Sequence, residues 1–276
     1  LVLFCPMYKD NLWLASPMNA QNNINGVGDI PRNEAHTLNN GPLLDFQVAL
    51  VRKIVTEVNA FDNLYFEICN EPYIGGVTLD WQERIARVIV ETESDLPRKH
   101  LIAQNIANGS KKIKNPNPAV SIFNFHYCSP PNAVAMNFGL NKAIAYDETG
   151  FKGSHDSPCG PDGWDFLLAG GAVYSNLDYS FTTEHPDGTA PPKAPGGGSA
   201  ALRKQLATLK AFMDSLDFVK MAPDPAAVKE GVPTGATARA LVEPGKQYAV
   251  FLRGGKQADL VLDLPAGTYR ADWVNP

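Results

Sequence analysis

Residues 63–73 read NLYFEICNEPY, and the reading of that run decides the fold. Its apolar stretch, 64–70, is rich in the residue types that suit a pleated, buried strand. Pro72 ends it, because proline has no N–H to give to a ladder. Regular alternation then places Tyr65, Glu67, Cys69 and Glu71 on one face. Glu71 stands at the tip of a buried strand, where a carboxylate is placed for proton transfer. Asn70 beside it offers an amide that can bond a hydroxyl group. A second run, AIAYDETGF at 143–151, ends in another carboxylate, Glu148. Asp147 is the rival there, and alternation turns it to the opposite face.

Working outward, LVLFCPMY at 1–8, then 101–107, 120–127 and AVYSNLDYSF at 172–181, also read as strands. Between them, residues 43–59 repeat apolar positions at helical spacing: Leu44, Val48, Val51, Ile54, Val55 and Val58. Helices are also predicted over 81–95 and from Ser199, an N-cap residue, to Leu216. Strands separated by helices imply a parallel sheet with helical crossovers. An open doubly wound sheet and a (β/α)8 TIM barrel share that pattern. Polar residues at successive strand ends, namely Glu71, Asn105, His126, Glu148 and Asp178, favour the barrel, whose active sites gather at that rim. A full barrel needs two strands more than these six, so the expectation is an α/β chain with a barrel lacking its first strands, both chain ends reading as cut. Residues 220–236 are rich in proline and glycine and read as a linker. The β runs ARALVE, QYAVFLR, ADLVLDL and TYRADWV follow as a small, partial β-sandwich, with Tyr248, Val250 and Leu252 alternating along one strand. The expected organisation is therefore a barrel over 1–219, the linker, and the β domain over 237–276.

Composition narrows the function classes. A net charge of −5 leaves no footprint for nucleic acid or an anionic membrane. No apolar run is long enough to span a bilayer. The four cysteines show no zinc spacing. Cys5 and Cys69 read as small buried hydrophobes, whereas Cys128 and Cys159 lie by loops, and a bridge between them in an oxidising compartment stays open. His155, Asp156 and His185 match no metal-binding pattern, and no strand leads into a GxGxxG turn. Neither a metal nor an organic cofactor is expected.

Taken together, YFEICNEP at 65–72, FNFHY at 123–127 and AIAYDETG at 143–150 resemble clan A glycoside hydrolases, the cellulase-like and mannanase-like (β/α)8 enzymes. The resemblance extends over roughly residues 1–216, starting at the family's third strand. It implies a retaining hydrolysis of a β-linked glycan, with Glu71 as acid/base, Glu148 as nucleophile and Asn70 on the sugar 2-hydroxyl. A carbohydrate substrate and an extracellular or periplasmic location follow from it. Two departures stand out. Members often carry His-x-Tyr on the sixth strand, with the tyrosine on the nucleophile, whereas His126 and Tyr127 are adjacent here. Alternation lets only one of them face inward, and His126 is the favoured one. The usual eighth-strand tryptophan is missing from AVYSNLDYSF, leaving Tyr174 or Tyr179 in its place. Trp13, Tyr73 and Trp164, in loops after strands, read either as sugar subsites or as packing. A barrel that binds glycan without turnover is the alternative reading.

Overall fold

Strand β1 (Val2–Phe4) lies parallel to β2 (Phe66–Cys69), with Val2 opposite Glu67 and Phe4 opposite Cys69. Strand β2 in turn lies parallel to β3 (Ile102–Asn108), and β4 (Ile122–His126) is next in order. The computed structural model describes residues 1–150, 153–156, 159–191, 193 and 197–276. It divides into two units, Leu1–Asn124 and Phe125–Pro276, and the division falls within β4.

In the first unit, after the short α1 (Asp10–Leu14), the crossovers are α2 (Leu43–Val58) and α3 (Leu79–Glu93). Thr78 caps α3 by accepting from the Trp81 N–H, so this helix starts two residues before its apolar period is visible. All four β2 residues are buried, as a strand covered on both faces requires. Helix α2 buries Leu43, Gln47, Val48, Val51 and Val55, while Leu44, Ile54 and Val58 are only half-buried. Gln47 explains the rotation away from the expected face. Its Nε2 donates to the Ala35 carbonyl at 2.9 Å, and its Oε1 accepts from Trp81 Nε1 and Asn40 Nδ2, both at 2.9 Å. A fully bonded amide can lie in a core where an unbonded one would be costly.

In the second unit, β5 (Ala143–Glu148) runs parallel to β6 (Val173–Tyr174), and β4, β5 and β6 follow in order. Helices α4 (Asn132–Asn137), α5 (Cys159–Leu168) and α6 (Ala200–Asp214) belong here, and Ser199 caps α6 as predicted. Helix α5 was not legible because Gly160, Pro161 and Gly163 argue against a helix. Packing requires one of those glycines, since a Cβ on Gly163 would come within 2.9 Å of both Tyr174 and Leu209.

Antiparallel strands follow. Strands β7 (Ala222–Pro223), β9 (Thr237–Glu243) and β10 (Gln247–Arg253) form one small sheet in the order β10-β9-β7. Strands β8 (Val228–Glu230) and β11 (Val261–Leu262) form another. Strands β7 and β8 both fall inside the Pro- and Gly-rich stretch. The run 268–274 forms no strand, contrary to expectation, and its Trp273 and Val274 are exposed. Alternation along β10 is real, but its most buried side chains are Ala249 and Phe251. They pack with Leu241 on Trp164 and Leu168 of α5 and Leu209 and Met213 of α6. Tyr248 and Val250 pack on the other face with Ala240, Val242, Ala227 and Val228. Two faces are covered where one was expected. The molecule is thus mixed α/β with parallel strands, helical crossovers and small antiparallel sheets. Among the described residues, no helix is long and apolar enough to cross a membrane.

Two histidines of the first unit titrate in opposite directions. His36 is packed edge-on against Trp81 and Phe4, and its Nε2 has no bonded partner among the described residues. Burial pushes it down to about 4. For His100, burial acts to lower the value, but hydrogen bonds to the Glu93 carboxylate at 2.5 Å and the Phe61 carbonyl at 2.6 Å hold it above the ordinary range. A depressed histidine stabilises the fold above its unfolded value near 6.5, and that contribution is lost as pH falls towards 4. The gap is worth about 3 kcal/mol. His36→Phe keeps the ring contacts and removes the titration. Urea unfolding is therefore expected to show the variant gaining on wild type by about that amount between pH 6.5 and pH 4.

Candidate active site

Strand β5 delivers Glu148 at its last residue, and β4 delivers His126 at its last residue. Tyr127, the next residue, has φ +49°, in the left-handed region that bulky residues avoid. Extended residues alternate their side chains, and one left-handed residue resets that alternation. The Tyr127 N–H donates to the Glu148 carbonyl at 2.8 Å. The Tyr127 hydroxyl also donates to Glu148 Oε1. The ring of His126, which is buried, lies with Nδ1 3.5 Å from Glu148 Oε2 and Nε2 3.4 Å from Asp147 Oδ1. One expectation is corrected: His126 and Tyr127 both reach Glu148, because the backbone between them is not extended. Asp147 meets the same ring, since the two nitrogens occupy different edges of it and one imidazole lies by both carboxylates. With a hydroxyl on one oxygen and an imidazole by the other, Glu148 is held in one orientation.

In the first unit, β2 ends at Cys69, and Glu71 lies beyond it with φ +41°. The regular pleat expected as far as Glu71 therefore stops two residues short. The Asn70 N–H donates to the Phe4 carbonyl at 2.9 Å, and the Ile74 N–H donates to the Glu71 carbonyl at 3.0 Å, closing a tight turn. Asn70 Nδ2 donates to the Tyr8 hydroxyl at 2.9 Å, and the Cys5 thiol lies 3.4 Å from the same oxygen. Burial first, then Cys5 and the charge of Glu71, hold the Tyr8 phenol well above its usual range, so it stays neutral. The Tyr73 hydroxyl is 3.2 Å from Glu71 Oε1 and 2.6 Å from Asn108 Oδ1. Tyr8 was missed by sequence reasoning, although it closes an apolar strand-like run just as Glu71 does. Asn108 is the last residue of β3.

The remaining sequence-derived residues are placed differently. Trp13 is buried with Ala35 and Leu43, which is its packing alternative. Tyr174, half-buried, packs edge-on against Tyr146 with Phe166 nearby, and a Cβ on Gly163 would come within 2.9 Å of its ring. Asn105 is buried with neither amide atom bonded among the described residues. Asp178 accepts from Arg203 at 2.9 Å, and Asp156 accepts from the Gly198 N–H at 2.9 Å, at the start of α6. Both are accounted for by holding loops. The Cys128–Cys159 pairing depends on the side chain of Cys159, which lies outside the described residues.

No family model matches the sequence, and no curated protein does. Solved structures do. The chain is similar to a crystal structure described as a "putative glycoside hydrolase" from Bacteroides vulgatus ATCC 8482, with 15% identity and a TM-score of 0.52. The match covers 73% of this chain and 40% of that one, so the chain spans well under half of its neighbour's length. A likeness at this identity speaks to the fold.

Removing the Tyr127 hydroxyl while keeping its ring isolates its hydrogen bond to Glu148. Tyr127→Phe is expected to lower stability at neutral pH by about 1.5–3 kcal/mol, the range for a partly buried bond to a charged acceptor. The midpoint of urea unfolding measures this, and an unchanged midpoint would show that the hydroxyl does not hold the carboxylate.

Proposed function

We propose that this chain carries the chemistry of a retaining glycoside hydrolase acting on a β-linked glycan, on a (β/α)8-type scaffold. The observation that carries this reading is the setting of Glu148. A strand-end carboxylate is held by a tyrosine hydroxyl, and that tyrosine occupies a strained backbone conformation. Strain of this kind persists where the surrounding structure enforces it, commonly at functional sites. The adjacency of His126 and Tyr127 favoured a barrel that only binds glycan, and it loses that weight because Tyr127 does bond Glu148.

In the proposed reaction, Glu148 attacks the anomeric carbon while Glu71 gives its proton to the glycosidic oxygen, and the leaving group departs as an alcohol. Water then loses a proton to Glu71, its oxygen bonds to the anomeric carbon, and the bond to Glu148 breaks. Asn70 is suited to the 2-hydroxyl of the sugar, and His126 and Tyr127 hold the nucleophile. No metal or organic cofactor enters these steps. The fold-level likeness to a structure described as a "putative glycoside hydrolase" is in keeping with the reaction class without specifying sugar or linkage.

The test is hydrolysis of aryl β-glycosides and plant polysaccharides by wild type, Glu148→Gln and Asp147→Asn. Wild type is expected to hydrolyse at least one substrate, and Glu148→Gln to lose about a thousandfold or more in kcat. Asp147→Asn should retain activity within about tenfold, as a neighbour that does not form the covalent bond. If wild type and Glu148→Gln behave alike on every substrate, the reading fails.

A further inference from the structure

The face of the β9–β10 pair that meets α5 changes character along its length. Directly opposed residues of antiparallel strands share a face, as do residues two apart on one strand. The register opposes Leu241 to Ala249, Arg239 to Phe251 and Thr237 to Arg253, so all six belong to one face. At one end Leu241, Ala249 and Phe251 are buried against α5 and α6. At the other end Thr237, Arg239 and Arg253 line a cleft of about 460 Å³. That volume lies within the usual range for small-molecule sites.

The two guanidinium groups are held in place and only partly used. Arg239 donates through Nε to Asp165 Oδ1 at 2.7 Å. Arg253 Nη1 lies 2.7 Å from Asp162 Oδ1 and 3.4 Å from Asp165 Oδ2. Both aspartates are buried, whereas 30% of the Arg239 side chain and 34% of the Arg253 side chain are exposed. An arginine carries five N–H bonds in a planar fork. These contacts engage one nitrogen of each fork, and the other two nitrogens of each form no hydrogen bond among the described residues. A fork already fixed on one edge loses little freedom when its other edge takes up a ligand.

We propose that this cleft binds a polyhydroxy carboxylate of uronic-acid size, with Arg239 and Arg253 on the carboxylate. The proposal does not depend on the reaction assigned to Glu71 and Glu148. A carboxylate is the planar, two-oxygen group that such a fork meets bidentately. Two arginines and two aspartates balance in charge, so attraction comes from directed N–H groups and not from excess positive charge. That balance disfavours a doubly charged phosphate or sulfate, which brings in one more negative charge than a carboxylate. The rest of the lining selects a hydroxylated body. Pro130 is the one wholly apolar side chain along the cleft among the described residues. Thr237 contributes a hydroxyl, and Gly235 and Gly254 are exposed and present only peptide groups.

Titration calorimetry at low salt tests this with D-glucuronate, D-galacturonate, D-glucose, acetate and sulfate. The proteins are wild type, Arg239→Lys, Arg253→Lys and Thr237→Val. Lysine keeps the charge opposite each aspartate and removes the fork, and the midpoint of urea unfolding reports whether each variant is folded. At least one uronate is expected to bind wild type about tenfold or more tighter than glucose, acetate or sulfate. Each lysine variant should weaken that uronate about tenfold or more, the range for losing a hydrogen bond to a charged group. Thr237→Val, which touches neither ion pair, should weaken it about threefold or more at an unchanged midpoint. It decides the matter should a lysine variant fail to fold. No saturable uronate binding by folded wild type overturns the proposal. Glucose, acetate or sulfate binding as tightly overturns the ligand class. Uronate affinity that is unchanged in every folded variant overturns the site.

Discussion

Side chains alternate along an extended strand, and both candidate carboxylates depend on that alternation being broken. Among the described residues three non-glycines have positive φ: Glu71, Tyr127 and Asn141. Asparagine tolerates that region, but glutamate and tyrosine do not favour it, and each such residue costs about 1–3 kcal/mol. The conformations are enforced by neighbouring backbone bonds. At Glu71 these are Asn70 N–H to Phe4 on one side and Ile74 N–H to the Glu71 carbonyl on the other. At Tyr127 the bond runs from its own N–H to the Glu148 carbonyl. Each unit thus fixes its own carboxylate. In one, the strained residue is the acid itself. In the other, it is the tyrosine that bonds the acid.

The strand-end carboxylates were legible because Glu71 and Glu148 close apolar runs, and buried runs of that kind are the clearest signal in a parallel sheet. All six predicted parallel strands are present, although β6 is only two residues long. What could not be read was the local backbone. Nothing in FNFHY announces a left-handed residue at Tyr127, since only glycine, asparagine and aspartate advertise that region. Alternation therefore favoured His126 over Tyr127, whereas the turn lets both reach Glu148, and it gave no sign that Asp147 meets the same imidazole. Helix α5 was hidden for a different reason: its glycines and proline oppose a helix locally, and contact with Tyr174 and Leu209 overrides them. Gln47 shows the same limit in α2, where hydrogen bonds from distant residues let a polar side chain into the core.

The second unit connects the turn at Tyr127 to its antiparallel sheet. The Ser129 hydroxyl, two residues beyond Tyr127, donates to Asp162 Oδ1 at 2.9 Å. Asp162, buried on α5, pairs with Arg253 of β10 at 2.7 Å, and Asp165 pairs with Arg239 of β9 at 2.7 Å. Paired charges can be buried where single ones cannot, and losing one partner leaves the other uncompensated. The stacked rings of Trp164 and Phe251 reinforce the same junction. The small sheet is therefore packed onto the helix whose aspartate anchors the segment leaving β4.

The central claim is that Glu148 forms a covalent bond to sugar. A 2-deoxy-2-fluoro aryl β-glycoside with a good leaving group lets the first displacement proceed and slows the second, so a glycosyl-enzyme accumulates. Intact-mass spectrometry followed by peptide mapping then reports which side chain carries the sugar. The account predicts one fluorosugar per chain, bonded to Glu148 and absent from the Tyr127–Cys128 and Glu71 peptides. A label on Asp147, or rapid hydrolysis of the parent glycoside with no residue ever labelled, would contradict it.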